Sequence, residues 1–185
     1  VYRQKNENDP INIYNSGTLN LTGGTVDAPS EFWARVSANG STVGTTNIGS
    51  ASTNAHVQFM REVANYINVY SGSTLTSSAD YIKGATTNEG TINLSTGTLS
   101  SAISGGGTTN IIGEVFSNAK ISSNILVSKD ATLTSSGTNI GNSVVVNGVL
   151  SIINGNLNYD VTGDVTLTVR NMTNHVYIEK GSTIY

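Results

Sequence analysis

The segments Asp130-Ala131-Thr132-Leu133, Asn147-Gly148-Val149-Leu150, Asp164-Val165-Thr166-Leu167 and Gly181-Ser182-Thr183-Ile184 each end on an aliphatic residue, and these ends stand 17 positions apart. Carried backwards from Leu133, the same step lands on Phe116, Leu99 and Ile82. The expected core ladder is therefore Ile82, Leu99, Phe116, Leu133, Leu150, Leu167 and Ile184. A second column, Val127, Val144, Val161 and Ile178, precedes the first by six residues, an even offset that period-2 alternation can bring to the same interior. A fixed period marks a repeat architecture. Seventeen residues are too few for a strand-helix-strand unit, which takes roughly 30, but they suit three short strands joined by tight corners. The columns predict an all-β fold, a parallel β-helix solenoid with 17-residue rungs stacked as aliphatic ladders.

The corners carry residues suited to turns. Ser71-Gly72, Glu89-Gly90, Thr96-Gly97, Ser136-Gly137, Asn147-Gly148, Asn154-Gly155 and Lys180-Gly181 supply positive φ or local side-chain hydrogen bonds between apolar segments. Asn-Gly also suits an antiparallel hairpin. A meander, however, has no reason to keep a constant rung length, and the 17-residue columns favour parallel stacking.

Residues 1–70 follow the period less closely than residues 71–185, although both belong to one continuous domain. Ile11-Asn12-Ile13-Tyr14 through Leu21 echoes Ile67-Asn68-Val69-Tyr70 through Leu75 at a step of 56, which implies an insertion between them. Met60, Val63, Ala64 and Ile67 share one helical face, so a helix is expected over Ala55 to Tyr66, with Thr53 or Asn54 as its N-cap. A second helical turn is expected after Pro29 and Ser30, through Glu31-Phe32-Trp33-Ala34-Arg35. Such a segment would cap or brace an open solenoid end. Alternatively it is a binding insertion that presents Phe32 and Trp33 to a ligand.

Composition narrows the function. Of the 185 residues, 37% are hydrophobic and only 11% charged, which suits packed strands better than disorder. A net charge of −3 gives no footprint for nucleic acid. No apolar run is long enough to span a bilayer as a helix. With no cysteine there are neither disulfides nor thiolate metal sites. The start, Val1-Tyr2-Arg3-Gln4, reads as that of a mature or excised piece.

Asn15-Ser16-Gly17-Thr18-Leu19-Asn20-Leu21-Thr22-Gly23-Gly24-Thr25-Val26, Asn88-Glu89-Gly90-Thr91-Ile92-Asn93-Leu94-Ser95-Thr96-Gly97-Thr98-Leu99 and Ile121 through Leu133 resemble the rungs of autotransporter passenger domains and related haemagglutinin-type adhesins. The resemblance covers residues 11–26 and 67–185. It implies a right-handed parallel β-helix, secreted or displayed at a cell surface, that binds host or neighbouring cells. The scaffold carries adhesins, toxins and proteases alike, so activity must be read from sites.

No catalytic constellation emerges from the residues. Asp160 and Asp164 flank a corner, and the other acidic residues are scattered. His56 and His175 lack ligand-spaced neighbours, and no serine nucleophile pattern occurs. Gly105-Gly106-Gly107-Thr108 lacks the lysine of a phosphate loop and reads as a loose corner. Sequons at Asn20, Asn39, Asn93 and Asn171 are expected by chance in so Asn-, Ser- and Thr-rich a chain. The expectation is a non-enzymatic adhesin-like protein, without cofactor or metal, whose partner is a surface glycan or protein or another copy of itself. The alternative is a filament subunit stacking end to end by β-augmentation. An ice-binding face would need regular threonine ladders, and Thr132 and Thr166 do fall in step with Val149 and Thr183.

Overall fold

The computed structural model describes residues 11–163, 166–170 and 183–184. Its strands pair in parallel, each with the strand one coil away, through about seven turns of a β-solenoid. Three sides recur. On one side Thr18–Leu21, Thr45–Ile48, Tyr66–Val69, Thr86–Asn88 and Ile103–Ser104 pair in that order. On the next, Ser30–Phe32, His56–Phe59 and Thr74–Ser77 lead into the first halves of Thr91–Leu99 and Thr108–Ser117, and then to Asn124–Val127, Val144–Val146 and Val161–Thr162. The third side begins with Asn12–Tyr14 against Arg35–Ser37 and the single-residue bridges Val36 to Val63 to Ile82. It continues through the second halves of the two long strands to Thr132–Ser135, Val149–Ile152, Thr166–Val169 and Thr183–Ile184.

Alternation along each strand fills the interior. Ile67, Val69, Leu75, Ile92, Leu94, Leu133 and Leu150 are all at or below 1% exposure, whereas their neighbours face out. Inward serines at strand ends, Ser77, Ser117 and Ser135, donate to nearby backbone carbonyls, of Ser78 at 2.7 Å, Ala119 at 2.7 Å and Ser136 at 3.1 Å. Each corner thus satisfies its own buried hydroxyl.

The 17-residue step holds where Leu133, Leu150, Leu167 and Ile184 stand in register. It fails at Phe116. Leu133 pairs with Val115, which is 2% exposed, while Phe116 pairs with Thr134 and is only half-buried. The cause is a register shift: Leu94 pairs with Ile111 but Thr96 with Glu114, so Ile112 and Gly113 add a residue to the coil. Ile112 is turned outward, and Gly113 lies so close to Ser95 that a Cβ there would fall 1.9 Å from its carbonyl oxygen. This is the geometry of a β-bulge. Ile82 and Leu99 are fully buried in other columns, Ile82 with Val63, and Leu99 with Ser117, Ser135 and Ile152. In the second column Val144 pairs with Val161, but Val127 pairs with Val146, because the corner after Val127, residues 128–131, is longer by two residues than the corner after Val146, residues 147–148. Ile178 lies outside the described residues.

The expected helix over Ala55 to Tyr66 is not formed. His56–Phe59 and Tyr66–Val69 are strands, and Ala55, Val57, Phe59, Val63, Asn65, Ile67 and Val69 are the buried positions. All seven carry odd numbers, so alternation outcompetes the helical face, and Ala64 is exposed. The helical turn expected at Glu31 to Arg35 is likewise replaced by Ser30–Phe32 and Arg35–Ser37. Residues 27–66 are therefore coils rather than an insertion. They are lengthened by short antiparallel bridges between Asn39 and Thr42 and between Ser50 and Thr53. The 56-residue echo does not mark equivalent positions: Asn12–Tyr14 lies on a different side from Tyr66–Val69. Strand pairing continues across residue 70, joining His56–Phe59 to Thr74–Ser77.

Candidate functional site

With the interior filled, function falls to the outward columns. On the side that carries Tyr66–Val69, the inward Ile67 and Val69 turn Tyr66 and Asn68 to the surface. The coil register places Thr45 beside Tyr66 and Asn47 beside Asn68. In the next coil Asn68 meets Thr87, and beyond it Ser104. Asn47 donates from Nδ2 to Oδ1 of Asn20 at 2.8 Å, and Asn68 donates to Oδ1 of Asn47 at 3.0 Å. The ladder stops at Asn68 because Thr87 occupies the next position.

The neighbouring column runs Thr45, Tyr66, Ala85, Ala102. The register follows from Ile67 against Thr86 and Thr86 against Ile103, and from the backbone bonds Ile67 N–H to Ala85 O and Thr86 N–H to Ala102 O, at 3.0 and 2.9 Å. Two alanines after an exposed tyrosine leave a trough of about 340 Å³ along the solenoid axis. The 54%-exposed Tyr66 stands toward one end, Ala85 and Ala102 line one flank, and Asn68, Thr87 and Ser104 are replaceable hydrogen-bonding groups along the other. Every residue lining it is uncharged. Such a site can stack, and can exchange hydrogen bonds with hydroxyl groups.

The residues singled out in the sequence lie elsewhere. Phe32 is partly buried against the core with its ring 6.0 Å from that of Phe59. Trp33 donates its indole N–H to Glu31 at 2.9 Å, and the guanidinium of Arg61 lies 5.3 Å from its ring. His56 sits in a strand beside Thr74. Thr132, Val149, Thr166 and Thr183 are in register, and Glu114 precedes Thr132 in that column. The trough escaped the sequence reading because its residues come from coils separated by 21, 19 and 17 positions on this side, so no constant period links them.

Among the described residues no three His, Asp or Glu side chains converge to hold a metal ion, and no helix is long and apolar enough to cross a membrane. No protein-family model matches the chain, and neither a curated protein nor a solved structure matches it.

Proposed function

We propose that the chain is a non-enzymatic, extracellular adhesin-like scaffold that presents one side of its solenoid to a ligand on a host or neighbouring cell. The observation that carries this reading is the uncharged trough beside Tyr66, built on a rigid stack of parallel strands. Binding residues held by paired strands lose little freedom when a ligand docks. The likeness of the rungs to autotransporter passenger domains supports the location and the adhesive role. Among the described residues the carboxylates are engaged structurally or dispersed: Asp80 accepts the backbone N–H of Thr98 at 3.1 Å, and Glu62 pairs with Arg35 at 3.2 Å.

The test is binding of the purified, labelled chain to intact cells of several types, with parallel incubation on polysaccharides. Saturable binding without release of reducing ends is the expected result. Failure to bind any cell surface, or steady cleavage of a polysaccharide, overturns the proposal.

A further inference from the structure

Resting on that adhesive reading, we propose that the Tyr66 trough binds a linear, neutral oligosaccharide lying along the solenoid axis. Three features of the trough define this ligand. First, none of the residues lining it is charged, and Lys120, which follows Ala102 in the column, extends its side chain toward Gly141 in the coil beyond, so the lining holds no cation to compensate the desolvation of a sulfate or carboxylate. Second, an exposed aromatic ring next to alanines offers a flat apolar face with open space beside it, the requirement for stacking on the C–H face of a pyranose.

Third, the polar flank is polarised. In the Asn20, Asn47, Asn68 ladder every amide donates in the same direction, so the free acceptor end is Oδ1 of Asn68, next to the trough. Aligned hydrogen bonds strengthen one another, which makes that oxygen a good acceptor for a sugar hydroxyl. The hydroxyls of Thr87 and Ser104 continue the flank and can both donate and accept. Paired strands repeat about every 4.8 Å, close to the advance of one sugar along an extended glycan. Successive coils therefore meet successive sugars, and from Tyr66 to Ala102, two coil steps, the trough is about 10 Å long.

The experiment is titration of the full chain against cellotriose, maltotriose and chitotriose, with sulfated and uronic-acid oligosaccharides alongside, by calorimetry or by chemical-shift perturbation. The proposal expects saturable binding to at least one neutral trisaccharide. Tyr66→Ala should weaken it by roughly tenfold or more. Ala85→Leu, which fills the trough at an exposed position, should abolish it, with thermal melting unchanged in both. Tyr14→Ala, at another exposed tyrosine, should leave it intact. Binding to anionic sugars only, neutral binding that survives both trough variants, or no sugar binding at all overturns the trough assignment. Cell binding measured on the same samples separates the two readings. Adherence that both variants retain removes the trough and keeps the adhesin, whereas a chain that binds neutral trisaccharides through Tyr66 but no cell keeps the trough and removes the adhesin.

Discussion

Asn68 donates its side-chain amide to Asn47 across one coil step, at 3.0 Å, and Asn47 repeats the contact to Asn20 at 2.8 Å. The middle residue therefore holds two bonds in a surface column whose backbones are already paired. Each such bond contributes about 0.5–1.5 kcal/mol net. Asn47→Ala is expected to lower the unfolding free energy by about 1–2 kcal/mol, measured by urea denaturation. Thr18→Ala, at an exposed position in the same strand as Asn20, should leave it nearly unchanged. Equal losses at both positions would show that the ladder contributes nothing of its own.

The interior is less forgiving. Leu150 has no exposed surface, and its strand pairs in register with Leu133 on one side and Leu167 on the other. Leu150→Asp would put a charge among aliphatic side chains with no partner, costing several kcal/mol. The variant is expected to lose the β-sheet signal in circular dichroism, while Ser151→Asp, one residue on and facing outward, stays within about 0.5 kcal/mol of the parent. A folded Leu150→Asp variant would contradict the ladder.

How far the sequence was readable follows from coil length. Where paired strands stand 17 residues apart, from Leu133 onward, counting alone finds the register. Earlier coils vary: Asn47 and Asn20 are 27 apart, and Asn68 and Asn47 are 21 apart. A turn that grows by a few residues preserves the stack but erases the period. The helix expected at Ala55 to Tyr66 arose there, since Met60, Val63, Ala64 and Ile67 fit a 3.6-residue period by coincidence. Strand alternation was equally visible but lacked a neighbouring column to support it. The Tyr66 trough was invisible for the same reason, as it is made by residues adjacent only once the register is known.

The bulge at Ile112 and Gly113 separates two registers that single substitutions can tell apart. If Val115 is the residue beneath Leu133, Val115→Ala opens a cavity and costs about 2 kcal/mol. Phe116 lies between Thr98 and Thr134 on the outer surface, so Phe116→Thr, which matches both neighbours, should cost less than about 1 kcal/mol. Guanidinium midpoints for the two variants measure this, and the reverse order would restore Phe116 to the ladder.

A close approach between two coils tests the stacking itself. A Cβ built on Gly84 would fall 1.6 Å from the carbonyl oxygen of Asn65, and 2.5 Å from its carbonyl carbon, one coil away. Both obstructing atoms are backbone, and the flanking strand is held by Ile67 N–H to Ala85 O at 3.0 Å, so neither side can yield without parting paired strands. The φ of Gly84 is not in the left-handed region, which leaves close approach, not backbone freedom, as the reason for glycine here. Gly84→Ala is expected to cost about 3 kcal/mol and to raise amide exchange at Ile67 and Thr86 ahead of residues in distant coils such as Leu150. Gly40→Ala provides the contrast: its Cβ would meet nothing within 4 Å, but its φ of 64° makes alanine strained. That change should cost only about 1 kcal/mol, without the local rise in exchange. Equal effects at the two glycines would show that the coils are not packed as closely as the Asn65 to Gly84 contact requires.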